Sequence, residues 1–204
     1  MSLLKIEQVT STDSPKWHCC MEIYRDSFPD WEREPEDAIT QRVQQGQYLL
    51  LAAIDIQAQV VGFYILDSVA EFNCVMFTFL AVTKSERGKG YGTLLCQDAI
   101  NRFKNESEIE WLLIEAGERQ AAFYGNLGFK KLDLDYKVPK FGEAGSVMMH
   151  LMAISAHKDI CGVQGNVLTQ IIKRMFINDY QLSEHDNRLN EQLALIPEQV
   201  KLMD

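Results

Sequence analysis

The chain has 204 residues, of which 47% are hydrophobic and 24% charged. This balance is typical of a globular domain with an ordinary core and excludes wholesale disorder. The formal net charge is −9, whereas a protein that binds nucleic acid needs a cationic surface to neutralise phosphates. We therefore expect no nucleic-acid partner, and the acidic surface could favour a cationic substrate such as an amine.

The sequence gives no indication of export, of a membrane span or of a bound metal. No apolar run approaches the roughly 18 residues needed to cross a bilayer, and Met1–Glu7 lacks the basic head and apolar stretch of a secretory signal. The five cysteines have no zinc-type spacing, and the four histidines form no HExxH pair. These features predict a cytoplasmic protein with buried free thiols, no membrane partner and no metal.

The first eighty residues predict two helices among several strands. Asp13 or Ser14 can cap a helix that has Pro15 in its first turn, and a second helix starts near Pro35 and ends at Gly46. Apolar runs predict strands at Ile6–Val9, Tyr48–Ile54, Gln59–Asp67 and Asn73–Val82.

Helices and strands then alternate. Helical spacing predicts helices over 91–103 and over Glu118–Leu127, the second ended by Gly128. Strands are predicted at Trp111–Glu115, Phe129–Leu134 and Ser146–Ala153, with a long loop over 136–145. This order indicates one mixed α/β domain over residues 1–155.

Residues 156–204 have a different pattern. Apolar side chains from Val167 to Phe176 recur at helical spacing, and Leu189, Leu193 and Ile196 indicate a second helix. We expect a C-terminal helical extension that packs on the domain or on another copy of it. A homodimer through these helices is therefore a candidate assembly.

The stretch from Leu80 to Thr93 carries the strongest chemical signal. It consists of a strand, a basic loop with glycines at 88, 90 and 92, and the start of a helix. Glycines let a ligand approach the main chain, and the first amides of a helix favour a bound phosphate. The loop matches neither the dinucleotide GxGxxG pattern nor the GxxxxGK[ST] pattern. It is thus a phosphate-loop candidate, and the alternative is a turn that only connects strand to helix.

A second motif, Phe123-Tyr124-Gly125-Asn126-Leu127-Gly128-Phe129, lies downstream. Together with Arg87-Gly88-Lys89-Gly90-Tyr91-Gly92, it resembles the GNAT superfamily of N-acetyltransferases, whose patterns are [R/Q]xxGx[G/A] and FYxxxGF. The resemblance covers residues 3–155. It implies a GNAT fold with a mixed, mostly antiparallel sheet of about seven strands flanked by helices, and acetyl-CoA as cofactor.

The resemblance also implies residue roles. The main chain of Leu80, Ala81 and Val82 would pair with the pantetheine arm, and the Leu80 amide would stabilise the developing oxyanion. Phe123 and Tyr124 would border the cofactor, with Tyr124 as the general acid, although a core tyrosine is the alternative. The diphosphate would be held by Arg87, Gly88, Lys89, Gly90, Tyr91, Gly92 and Thr93.

The general base is less well indicated. Glu115, at the end of a predicted strand, is the first candidate, followed by Glu32 and Glu34, and the alternative for each is a solvated surface carboxylate. The sequence also departs from the family at Gly117, where many members carry an asparagine that binds the pantetheine.

A narrower likeness concerns a bacterial subset of the family. Phe28–Pro35 resembles its FPxxERxP signature, and Tyr136-x-x-Pro139 its later YxxP. The predicted function is transfer of an acetyl group from acetyl-CoA to a primary amine of a small molecule, or of a protein, by direct attack in a ternary complex. The alternatives are transfer of longer acyl chains and a non-catalytic CoA-binding sensor or interaction module.

Overall fold

The structure is a computed structural model that describes residues 4–157 and 159–203. The chain divides into two units. The first comprises the residues up to Val69 together with Val75–Ser107, and the second comprises Ala70–Cys74 together with the residues from Glu108 onward.

The first unit contains a sheet in the order β1-β2-β3-β4. Strands β1 and β2 are antiparallel, as are β2 and β3. Its elements are β1 (Lys5–Gln8), α1 (Pro15–Ser27), α2 (Glu36–Gln44), β2 (Tyr48–Ile54), β3 (Val60–Val69), β4 (Cys74–Val82) and α3 (Tyr91–Lys104), with short 3-10 turns at Asp30–Glu32 and Lys84–Glu86.

Helix α1 shows how local chemistry and packing agree in this unit. The Ser14 Oγ accepts a hydrogen bond from the Trp17 amide at 3.2 Å, and Pro15 occupies the first turn. Ser14 rather than Asp13 is therefore the cap. The buried face of the helix includes Tyr24, whose ring lies edge-on to Phe79 at 5.0 Å. That face forms the core of the unit together with side chains of β2 and β3.

Gly62 allows three elements of this unit to pack closely. A Cβ atom at this position on β3 would lie 2.7 Å from the carbonyl oxygen of Ala81 and 3.1 Å from Cδ1 of Leu95. Any larger residue would push β4 and α3 away from β3. Gly62 thereby sets how closely α3 lies over the sheet.

The second unit has strands in the order β5-β8-β6-β10-β9, with β7 paired to β8. The pairings described within it are antiparallel. Its elements are β5 (Trp111–Ala116), α4 (Glu118–Gly125), β6 (Lys130–Leu132), β7 (Tyr136–Pro139), β8 (Ser146–Ser155), β9 (Gly162–Gln164), α5 (Gly165–Arg174), a π-helical turn (Met175–Asp179), α6 (Asn187–Ala194) and β10 (Gln199–Met203).

The C-terminal segment is more than a pair of helices. Helices α5 and α6 lie where the apolar spacing indicates them, but β9 and β10 flank them, and Leu202 of β10 pairs with Leu132 of β6. The segment therefore joins the sheet of the second unit. Similarly, the expected loop over 136–145 contains β7, which pairs with β8 from Tyr136–Met149 to Pro139–Ser146. Strands of three to five residues are too short for their alternation to be recognised in sequence.

The predicted class, a mixed α/β fold with helices flanking a mostly antiparallel sheet, is confirmed. The described residues form ten strands, where about seven were expected. Within 4–157 and 159–203, no helix is both long and apolar enough to span a bilayer.

Candidate functional site

The glycine loop begins after β4 and leads through the Lys84–Glu86 turn into α3. Gly88 has φ +81° and Gly90 has φ +86°, both in the left-handed region that side chains disfavour. A Cβ atom at either glycine would meet nothing within 4 Å. These glycines are thus required by the backbone conformation, and the space beside them is open to a ligand.

Gly90 is also the residue that caps α3. Because the cap is a glycine, it offers no side chain of its own to the first amides of the helix. The first amides of a helix have no partner within the helix and carry the positive end of its dipole. The loop therefore presents a positive main-chain surface.

The two basic side chains of the loop have different partners. The Arg87 Nε donates to the Val82 carbonyl at 3.1 Å, and its Nη2 donates to the Ser27 hydroxyl at 3.3 Å. Lys89 Nζ instead contacts both carboxylate oxygens of Glu86 at 2.9 Å, and this contact raises the pKa of Lys89. Glu86 therefore offsets the charge of Lys89, while the described partners of Arg87 are neutral.

Of the β4 residues implicated by sequence, Leu80 is half-buried, whereas Ala81 and Val82 are buried. The Val82 carbonyl accepts a hydrogen bond from Arg87, so one main-chain acceptor of this stretch is already paired within the chain.

Tyr124 lies on α4, in the second unit, and is buried with 6% of its surface exposed. Its ring packs edge-on against Phe129 at 5.6 Å and Phe123 at 5.1 Å. Its carbonyl accepts from the Phe129 amide at 3.2 Å, and Gly128 has φ +101° in the intervening turn. The FYxxxGF motif is therefore a helix end folded onto its own aromatic side chains.

Glu115 occupies the C-terminal half of β5 and is held by two phenols. Its Oε1 accepts from the Tyr136 hydroxyl at 2.5 Å, and its Oε2 accepts from the Tyr180 hydroxyl at 2.6 Å. Burial raises the pKa of both tyrosines well above the ordinary value, and the negative charge of Glu115 adds to this. Sequence reasoning missed Tyr180, because 65 positions separate it from Glu115 and no local motif marks the pair.

Glu115 and α4 lie on opposite faces of the sheet in the second unit. Ala116 of β5 is the register partner of His150, whose Nε2 lies 2.6 Å from Oε2 of Glu118 on α4. Side chains of successive strand residues point to opposite faces. Glu115 therefore faces away from the helix that carries Tyr124.

Glu34 is 2% exposed and forms part of a buried cluster in the first unit. Its carboxylate lies 3.0 Å from Nη1 of Arg42 and accepts from the Tyr48 hydroxyl at 2.9 Å. Its main-chain carbonyl accepts from the Tyr24 hydroxyl at 3.0 Å. These contacts give Glu34 a structural role, whereas Glu32 is half-buried and its pKa is raised by burial.

The described cysteines and other potential metal-ligating side chains do not form a cluster. The cysteines are free, and Cys20, Cys74 and Cys96 are buried as expected, but Cys19 and Cys161 are exposed. Burial raises the pKa of the Cys20 and Cys96 thiols to about 12. In the part of the chain that the structure describes, no group of three or more His, Cys, Asp or Glu side chains could hold a metal ion.

The model of the "Acetyltransferase (GNAT) family" matches residues 17–129 of the chain. This range is more than half of the sequence and contains both motifs. The chain therefore belongs to the GNAT acetyltransferase family. A comparison with curated protein sequences finds no match.

Solved structures similar to this one share the GNAT fold at low sequence identity. A GNAT-family acetyltransferase from Bacteroides thetaiotaomicron has a TM-score of 0.69 at 18% identity, over 88% of this chain and 99% of its own. A phosphinothricin acetyltransferase from Sinorhizobium meliloti, in complex with AcCoA, has a TM-score of 0.59 at 20% identity, over 76% and 88%. Spermidine N-acetyltransferase from Vibrio cholerae, in complex with CoA and spermine, has a TM-score of 0.59 at 13% identity, over 75% and 95%.

The Glu34 cluster makes a prediction about stability. Glu34→Gln should lower the free energy of unfolding by about 3 kcal/mol, because it removes one member of a buried ion pair. The matched change Glu32→Gln, only two residues away, should alter it by less than about 0.5 kcal/mol. Urea denaturation followed by circular dichroism measures both, and equal effects would contradict the structural role of Glu34.

The tyrosine pair makes a prediction about pH. A phenol has an ordinary pKa of about 10, and the folded chain holds the Tyr180 proton more tightly than the unfolded chain. Its stabilising effect is therefore complete below about pH 10 and declines above it, because unfolding then releases a proton. Tyr180→Phe should make the loss of stability between pH 10 and 11 shallower by about 1 kcal/mol per pH unit.

Denaturant titrations at several pH values give this slope. Phe176→Leu is the control, since it removes a ring that packs on Tyr180 at 5.7 Å without removing a titrating group. An unchanged slope in Tyr180→Phe would show that this phenol is not protected in the folded state.

Proposed function

We propose that the chain is an acyl-CoA-dependent N-acyltransferase that transfers an acetyl group from acetyl-CoA to a primary amine of a small molecule or protein, by direct attack in a ternary complex. The observation that carries the proposal is the open glycine loop at the start of α3. Family membership supports the reaction class. The similar structures include a complex with AcCoA and a complex with CoA and spermine, which favours an amine as the acceptor.

The loop fits a diphosphate in shape and charge. Gly88 and Gly90 leave open space beside the main chain, and the amides that begin α3 point their positive end towards it. In this proposal the residues from Arg87 to Thr93 hold the diphosphate, with Arg87 as the main cationic side chain, because Glu86 already pairs with Lys89.

The bound acetyl-CoA would supply the acetyl group as an activated thioester. The main chain of β4 at Leu80 is proposed to pair with the pantetheine amides. Its amide would then donate to the oxygen that gains negative charge during attack, a contribution of about 3 kcal/mol for one well-placed donor.

Tyr124 is the proposed general acid. Ordinary phenols and thiols have pKa values of about 10 and 8.5, so a phenol can protonate a departing thiolate at a small free-energy cost. The close packing of Tyr124 against Phe129 limits the ring to few orientations, and this supports a defined position for its hydroxyl.

Glu115 and Glu32 are the two candidates for the general base, which accepts a proton from the incoming ammonium. Both oxygens of Glu115 already accept phenol hydrogen bonds, which favours a role in positioning. Glu32 has a pKa raised by burial, and this brings a carboxylate closer to the range useful for a base at neutral pH. Glu34 is disfavoured by its buried pairing with Arg42.

The cofactor assignment predicts a specific effect at Gly90. Gly90→Ala should weaken acetyl-CoA affinity about tenfold, because the left-handed cap must shift to accept a side chain and the amides of α3 shift with it. Isothermal titration calorimetry measures the dissociation constant.

Gly46→Ala is the matched control. Gly46 also has a positive φ, +74°, with nothing within 4 Å of an added Cβ atom, but it lies at the end of α2. The two variants should lose a similar free energy of unfolding, about 1 kcal/mol, and only Gly90→Ala should lose affinity. If Gly90→Ala binds acetyl-CoA with undiminished affinity, the proposal that this loop holds the diphosphate is wrong.

The acid assignment predicts a change in rate without a change in binding. Tyr124→Phe should lower kcat on the order of 10²-fold, while acetyl-CoA affinity stays within about threefold. The assay is release of free CoA thiol in the presence of a panel of primary amines. Tyr64→Phe is the control, because it also removes a buried hydroxyl, one that donates to Asp98 at 2.5 Å.

The outcomes of this assay separate the candidate functions. An unchanged kcat in Tyr124→Phe would reject the acid role. Thiol release only with longer acyl-CoAs would replace acetyl by a longer chain, whereas binding without release for any amine would indicate a CoA-binding sensor. No affinity for CoA or its thioesters would remove the proposed function altogether.

A further inference from the structure

A groove in the second unit has no role in the proposed reaction. It encloses about 650 Å³ and lies among the residues that follow β6, the start of β8 and the C-terminal segment. Its apolar lining includes Met148, Met149 and Met203, and we call it the methionine groove. Pockets of 300–1,000 Å³ are the usual size for small-molecule sites.

The exposed apolar side chains of the described chain concentrate at this groove. The large hydrophobic residues that are exposed are Ile56, Leu94, Met148, Leu195 and Met203. Met148, Leu195 and Met203 line the methionine groove, with 58%, 48% and 40% of their surfaces exposed. Clustered apolar exposure marks binding surfaces more often than isolated exposure does, and methionine side chains adapt readily to a bound ligand.

The polar part of the groove is anionic. The described residues that line it include the acidic side chains Glu118, Asp133 and Asp135 and the imidazole of His150, and none is lysine or arginine. Glu118 is already paired with His150 at 2.6 Å and with Lys131 at 3.4 Å. Asp133 and Asp135 are exposed. The hydrogen bonds described for them involve main-chain atoms, namely the Asp133 amide and the Asp135 carbonyl.

We propose that the methionine groove binds a small cationic amphiphile, a primary alkylammonium or arylalkylammonium. The alkyl or aryl part would lie against the exposed methionine and leucine side chains, removing their apolar surface from water. The ammonium would lie between Asp133 and Asp135. A second copy of the chain fits less well, because the same carboxylates of both copies would face each other across a twofold interface.

The proposed binding at the methionine groove does not require acyl-CoA. The residues it uses are distinct from the glycine loop and from Tyr124. Binding at the groove and binding of acetyl-CoA can therefore be measured separately on the same full-length chain.

The experiment titrates the chain with n-octylamine at pH 7 without CoA, using isothermal titration calorimetry, and compares 1-octanol and octanoate. We expect one saturable site for octylammonium, binding roughly tenfold weaker for octanol, and none for octanoate. The double variant Asp133→Asn/Asp135→Asn should bind octylammonium as weakly as octanol, while its acetyl-CoA affinity is unchanged.

Matched controls locate the site. Asp13→Asn/Glu106→Gln makes the same change in charge at two exposed carboxylates outside the groove and should bind octylammonium normally. Gly90→Ala should also bind it normally, so that failure of the CoA proposal leaves this result untouched. Met148→Ser should weaken octylammonium and octanol alike, because it removes the shared apolar contact.

Several results would overturn the proposal. They are absence of saturable octylammonium binding, equal binding of octanoate, and unchanged binding in the Asp133→Asn/Asp135→Asn variant. A dimer in analytical ultracentrifugation that Met148→Asp dissociates would instead assign the groove to a second copy.

Discussion

The left-handed turn at Gly90 is the constraint on which the candidate site depends. Strand β4 must pass into α3 within a few residues, and Gly88 and Gly90 make that turn with positive φ values. Because the cap is a glycine, the first amides of α3 point outward without a side-chain cap. Gly62 completes the arrangement by letting α3 lie close over β3 and β4. The proposed phosphate-binding surface therefore depends on backbone geometry more than on charged side chains.

Carboxylates that appear catalytic in the sequence have structural partners in each unit. Glu34 is paired with Arg42 and Tyr48 in the first unit, and Glu115 accepts from Tyr136 and Tyr180 in the second. A buried charge is costly unless it is paired or hydrogen-bonded. Glu34 joins the segment before α2 to β2, and Glu115 joins β5 to β7 and to the C-terminal segment.

Residues beyond the family model supply several contacts of the second unit. The match ends at residue 129, and later residues supply β10 beside β6, the Tyr180 hydroxyl on Glu115, and most of the methionine groove. Family membership therefore rests on residues up to 129, whereas the ligand proposed for the methionine groove depends mostly on residues that follow them.

The sequence by itself determined the features that depend on neighbouring residues. These are a helix with Pro15 in its first turn, the span of β2 from Tyr48 to Ile54, the glycine loop and the mixed α/β class. Local propensity and periodicity are sufficient for such features, because each depends on a few consecutive side chains.

Only the tertiary structure decided the short strands β7, β9 and β10, the pairing of Tyr180 with Glu115, and the burial of Glu34 against Arg42. Each depends on contacts between residues distant in sequence or on elements too short to show a period. A carboxylate has the same side chain in a core and on a surface, so its role follows from the partners that folding places beside it.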